Sequence, residues 1–98
     1  MKVIFHRRIQ RDLRTALDYY EAEAGAALGD RFFADAEAAV SSVLENPRGF
    51  HFVADGLRRA SFKNFPYHFV FEEELGRVRF LVLRHDKRHP IYGLRRKW

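Results

Sequence analysis

The sequence has no cysteine, only three prolines and one tryptophan, and no apolar stretch near the roughly 18 residues of a membrane span. Without thiols, neither a disulfide framework nor a thiolate metal site can form. Five histidines are present, but none stands four residues from another on a helical stretch, so no metal is expected. The opening residues, MKVIFHRR, hold three apolar residues in a row before charge returns, too few for the core of a signal peptide. These absences lead to the expectation of a cytoplasmic protein with no cofactor and no membrane contact.

Acidic residues are almost missing from the C-terminus. Residues 1–83 carry twelve Lys and Arg against twelve Asp and Glu, whereas residues 84–98 carry six basic residues against Asp86 alone. The whole formal charge of +5 therefore sits in the last fifteen residues. From Asp18 to Glu45 the balance reverses, with seven acids against Arg31. Such asymmetry points to an anionic partner near the C-terminus. What the chain does have is apolar mass: hydrophobic residues make up 47% and ten are Phe, enough for one packed domain over residues 1–98. A chain this short buries only about 60–65% of its unfolded surface, so a partner covering apolar area matters more than usual.

Val3, Ile4 and Phe5 fit a short strand. Ile9, Leu13, Ala16, Leu17, Tyr20 and Ala24 then recur at helical spacing up to Gly25, a natural helix stop. A second helical stretch carries Phe32, Phe33, Ala36, Val40, Val43 and Leu44 and ends before Pro47. So short a link makes an antiparallel helical hairpin. Residues 47–56 read as a loop with buried aromatic content, Leu57–Lys63 as a strand, and Tyr67–Glu72 as a strand with Tyr67, Phe69 and Phe71 on one face. Glu73–Gly76 makes a hairpin turn with Gly76 at positive φ, and Val78–Leu83 is apolar on both faces, as a central strand should be. The expected fold is α+β in the order β-α-α-β-β-β, a helical hairpin packed on one face of a small, mostly antiparallel sheet. The opposite face, beside the basic terminal stretch, is expected to stay open as the working surface.

The chain resembles the RelE/ParE toxins of type II toxin–antitoxin systems over essentially its whole length. The resemblance rests on RDL at 11–13, YY at 19–20, Leu57-Arg58, FPYHFVF at 65–71 and HDKRHPIYGLR at 85–95. It implies a growth-inhibiting toxin of the kind that stabilises plasmids, held in a hetero-oligomer by a cognate acidic antitoxin. Two activities are implied by that superfamily: ParE-like inhibition of DNA gyrase, and RelE-like cleavage of mRNA on the ribosome. A relic that only binds antitoxin is the third reading.

Metal-free RNA cleavage needs a base, an acid and cations for the developing phosphorane charge. Lys63, Arg84, His85, Arg88 and Tyr92 are the candidates for it. The middle strands are thinly basic for a RelE-like nuclease, with His68 and Val70 on the aromatic strand and Asp86 inside the terminal motif. A ParE-like reading is therefore preferred, and an enzymatic one is left open. For binding a target or the antitoxin, the candidates are Arg58, Arg59, Arg84, His85, Arg88, Tyr92 and Arg95. Competing structural roles are pairing of Arg58 and Arg59 with acids of the second helix, a hydrogen-bonded His85, and Tyr92 packed with Trp98. Arg88 is the strongest functional candidate, since a planar five-donor cation suits phosphate or carboxylate. Deleting residues 84–98 is expected to abolish toxicity.

Overall fold

The structure, a computed structural model, describes all of residues 1–98. The chain runs β1 (Lys2–Phe5), α1 (Ile9–Ala24), α2 (Ala26–Glu45), a single 3-10 turn (Pro47–Gly49), β2 (Phe52–Ala54), β3 (Leu57–Ser61), β4 (Tyr67–Glu74) and β5 (Arg77–His85). The five strands form one sheet in the order β1-β5-β4-β3-β2. Only β1 is parallel to its neighbour, with Phe5 opposite Phe80; every other pair is antiparallel.

The α+β arrangement, the helical hairpin and the strand faces follow the sequence pattern. Gly25 alone links the helices, at φ 88 and ψ 179, a conformation open essentially to glycine only. The β4–β5 hairpin closes through Leu75 and Gly76, both at positive φ, the two-residue turn that matches strand twist.

Several boundaries differ from the sequence reading. β4 runs on to Glu74 and β5 spans Arg77–His85, so the hairpin turn is Leu75 and Gly76 and not Glu73–Gly76. The stretch 47–56 is not wholly a loop: β2 adds a fifth strand at the sheet edge, three residues long and too short to show an alternation. Further, β3 stops at Ser61, so Lys63 lies in the β3–β4 connection. There Asp35 of α2, buried, accepts from the Asn64 backbone N–H at 2.7 Å and its side-chain amide at 3.0 Å.

Between helices and sheet, Ile9, Ala16, Leu17, Phe32, Ala36, Ala39 and Val43 meet Ala60, Phe62, Phe69, Phe71, Val78, Phe80 and Leu83. Phe32, Phe71 and Phe80 are fully buried, each side chain contributing about 1.5–3 kcal/mol by its removal from water. At one end Tyr20, Phe65 and Tyr67 surround Phe32 with ring centroids 5.0–5.2 Å away.

The sheet's other face is not open as expected. Val70 and Val82 pair across β4 and β5 on that face and are fully buried. What covers Val82 is the chain's own C-terminal stretch, whose Gly93 lies flat upon it. A Cβ at Gly93 would sit 2.6 Å from Val82 Cγ2, and its φ of 78 also favours glycine. The terminal residues form a strap across the sheet, and Trp98 completes it by packing edge-on against His6 and under the Arg79 guanidinium.

Candidate functional site

Two arginines hold this strap, and both have left the solvent. Arg84, at the end of β5, is 7% exposed. Its Nε donates to His68 Nε2 at 2.9 Å, and its Nη1 donates to the carbonyls of Pro90 and Tyr92 at 2.7 and 3.0 Å. Because Nε2 of His68 accepts, its Nδ1 carries the proton and donates to Asp86 Oδ1 at 2.8 Å. Arg59 of β3 reaches the same carboxylate oxygen at 3.0 Å.

His68 is therefore held neutral. Burial lowers its pKa from the ordinary 6.5, and Arg59 and Arg84 lower it further, while the hydrogen bond and charge of Asp86 work in the other direction. In the range between the folded value and 6.5, the unfolded chain binds more protons at this ring than the folded one. The contribution is thus complete above pH 6.5 and is lost as pH falls from there through the folded value. Urea unfolding of the native protein between pH 7.5 and 5 should show stability falling toward acid, more steeply than in His68→Gln. Parallel profiles for the two proteins would refute this role.

The second anchor is Arg96. It donates to Asp12 through both terminal nitrogens, at 2.7 and 2.8 Å, with both side chains under a tenth exposed. The pair fills a gap in the sheet. β1 ends at Phe5, and the last bond along that edge runs from the His6 amide to the Phe80 carbonyl. Beyond it the β5 edge has no strand beside it. Arg96 Nη1 donates to the Leu81 carbonyl at 3.1 Å, and Asp12 Oδ2 accepts from the Leu83 amide at 3.1 Å. Two side chains take over where the strand stops, which satisfies buried backbone groups that would otherwise be orphaned. Hydrogen bonding to Asp12 raises the Arg96 pKa against the opposing effect of burial.

Of the six basic residues after Leu83, Arg84 and Arg96 are thus structural, while Lys87, Arg88, Arg95 and Lys97 remain exposed. Arg88 stacks over the Tyr92 ring at 4.0 Å. Arg84, His85, Arg88 and Tyr92 share a cleft of about 140 Å³ with Arg11, Asp12 and Tyr67. Lys63 lines a different cavity, beside Asp35 and Ser42 of α2, and does not join them. His85 packs against Tyr67 and accepts the Lys87 amide at Nδ1. Burial holds the Tyr67 hydroxyl above its ordinary pKa, which keeps it protonated.

Arg58 and Arg59 do not pair with the second helix. Arg58 donates to the Arg48 and Phe50 carbonyls at 3.3 and 2.8 Å and lies over Phe52, fastening the loop before β2. Tyr92 is separated from Trp98, which packs on His6 instead. No group of three His, Asp or Glu side chains is placed to hold a metal ion, and no helix is long and apolar enough to cross a membrane.

The sequence reading missed Asp12 and Arg96 as partners, although Asp12 lies inside the quoted RDL motif. Between the helical hairpin and β1 lies an apolar groove of about 590 Å³, lined by Phe5, Ile9, Leu13, Phe33, Ala36 and Val40. Phe5 and Phe33 are 47% and 42% exposed there, a signal that only three dimensions supply.

A helical hairpin over a sheet whose last strand, β5, lies between β1 and β4, with a cationic segment after it, is the domain of a RelE/ParE superfamily toxin. Residues 3–90 match the ParE toxin of type II toxin-antitoxin systems, parDE, and the chain belongs to that family. Among solved structures, a chain of the chromosomal ParDE TA system from P. aeruginosa superposes with a TM-score of 0.76 at 17% identity, over 87% of this chain and 95% of that one. No curated protein matches the sequence.

Proposed function

We propose that this type II toxin acts in the ParE manner, binding DNA gyrase and trapping cleaved DNA, and that a cognate acidic antitoxin neutralises it in a hetero-oligomer. The observation that carries this reading is how the polar groups of the strap-covered sheet face are spent. Arg84 is committed to three internal acceptors, His68 is a neutral link between Arg84 and Asp86, and Arg79 is paired with Glu72. A nuclease needs a free base, acid and phosphate clamp converging there. The surface instead favours recognition. The groove of Phe5, Leu13, Phe33 and Val40 suits the apolar side of an antitoxin helix, with Arg7 and Glu37 at its rim. Gyrase as target places the protein in the cytoplasm.

A RelE-like, ribosome-dependent mRNA endoribonuclease is the second reading, favoured by the shared cleft of Arg11, His85, Arg88 and Tyr92. Expressing the chain alone in a bacterium and following nucleotide and amino-acid incorporation separates the two. The expected result is that DNA synthesis stops first, that purified gyrase accumulates linearised plasmid with the toxin, and that antitoxin reverses both. Translation stopping first, with mRNA cut in phase with codons, would transfer the assignment to the second reading.

A further inference from the structure

Tyr92 stands between two concavities. On one side is the cleft of about 140 Å³ lined by Arg11, Arg84 and Arg88; on the other is one of about 230 Å³ lined by Arg8, Arg95 and Arg96, with Ile91 and Gly93. Six guanidinium groups thus line two adjoining clefts that contain one carboxylate, Asp12, and Asp12 is already bound to Arg96 and to the Leu83 amide. Arg84 and Arg96 are structural. Arg8, Arg11, Arg88 and Arg95 are exposed, and none of them belongs to an ion pair.

Folding brings these four together from the two ends of the chain. Arg8 and Arg11 lie three residues apart at the start of α1, so they share a helix face. Arg88 and Arg95 come from the strap that Arg84 and Arg96 clamp down. Gathering like charges without acids among them disfavours the folded state, and an anion entering each cleft removes that cost. The clefts are separated by one aromatic ring and carry two free guanidiniums each, so they fit a ligand with anionic groups in series.

We propose that the clefts flanking Tyr92 bind the phosphodiester backbone of double-stranded DNA, Arg11 and Arg88 meeting one phosphate and Arg8 and Arg95 another. The choice of duplex DNA over a single strand rests on Tyr92. Its ring is covered by Arg88 at 4.0 Å and faces Arg96 at 5.8 Å, so it offers no free platform on which an unpaired base can stack. What remains is phosphate contact, which positions a protein on a duplex without reading its sequence. The inference deepens the gyrase reading and rests on it for biological sense: a toxin trapping cleaved DNA on gyrase would touch the DNA as well as the enzyme.

The test measures binding of the purified toxin, without gyrase, to a fluorescent 30-base-pair duplex between 50 and 200 mM salt. Two phosphates held by four arginines correspond to a release of about two to four counterions, so affinity should fall by about ten- to a hundredfold over that range. Arg8→Gln with Arg95→Gln, and Arg11→Gln with Arg88→Gln, should each weaken binding at least tenfold and flatten the salt dependence. Lys2→Gln with Arg77→Gln removes the same charge at the opposite end of β5, about 20 Å from Arg84, and should leave binding within about twofold. All six substituted residues have exposed or half-exposed side chains outside the core, and circular dichroism verifies the fold of each variant.

Equal losses in cleft and control variants would overturn the proposal, as would tighter binding to single-stranded RNA or to a polyglutamate peptide of the same charge. Trapping of cleaved DNA on gyrase is then assayed separately with the same variants. Cleft variants that bind duplex as tightly as the wild type, in a toxin that traps cleaved DNA on gyrase, would overturn the further inference alone. Wild-type toxin that binds duplex through these arginines and leaves gyrase untouched would overturn the gyrase reading alone.

Discussion

Arg96→Met is expected to cost about 3–5 kcal/mol, the loss typical of leaving one partner of a buried ion pair uncompensated. Asp12, its side chain 5% exposed, would lose its cationic partner, and the Leu81 carbonyl would lose its donor. For a domain of this size each kcal/mol lowers Tm by about 4–8 °C, so the transition should fall by about 15 °C or more. Asp12→Leu combined with Arg96→Met should recover part of the loss, because a matched apolar pair removes the stranded charge. Recovery stays incomplete, since the Leu83 amide and Leu81 carbonyl then lack partners at about 1–3 kcal/mol each. Urea unfolding of the two single variants and the double variant measures all three quantities. A loss under about 1 kcal/mol for Arg96→Met would mean the strap is not anchored in this way. The same geometry changes what a truncation can reveal. Deleting residues 84–98 removes Arg84 and Arg96 and uncovers Val82, so loss of toxicity would report unfolding; Arg88 and Arg95, at the surface, are the residues whose substitution tests function.

Gly93→Ala comes next, at about 2–5 kcal/mol. Its φ of 78 costs any residue with a Cβ about 1–2 kcal/mol, and a Cβ 2.6 Å from Val82 Cγ2 adds overpacking of about 1–3 kcal/mol. Val82 sits in a central strand between β1 and β4 and cannot move aside, so the strap yields instead. Limited proteolysis should then cut near Arg88 and Arg95 in the variant under conditions that leave the native protein whole. Adding Val82→Ala relieves the contact and not the backbone strain, so it should restore protection of the strap in part, at the cost of a smaller core. Native-like stability and protection in Gly93→Ala would refute the close approach. Since Tyr92 and Arg95 flank this glycine, displacement of the strap also disperses the cationic clefts.

The elements legible in the sequence are those whose cause is local. Ile9 to Ala24 carries its helical period, Gly25 its stop, Tyr67 to Phe71 its alternation, and Gly76 its turn, because backbone preference and side-chain period act over a few residues. β2 escaped because three residues hold too little period to recognise, and because Phe52–Ala54 is strand only by virtue of β3 beside it. VRFLVL was legible as a strand covered on both faces, yet nothing local identified the second cover as the chain's own end.

For the site, the sequence counted charges correctly and could not say which were free. The same residue type, Arg, appears at 84, 88, 95 and 96, and only packing divides them into two clamps and two surface cations.

By itself the sequence determined the α+β class, the helical hairpin, the aromatic core, the family resemblance and the surplus of positive charge at the C-terminus. The tertiary structure alone decided that this surplus is split, that the second sheet face is strapped, and that Asp12 joins Arg96 across 84 residues. The physical reason is range. Propensity and periodicity are properties of neighbouring residues, whereas the fate of a charge is set by whatever the fold brings within about 3 Å of it and by how much water remains there.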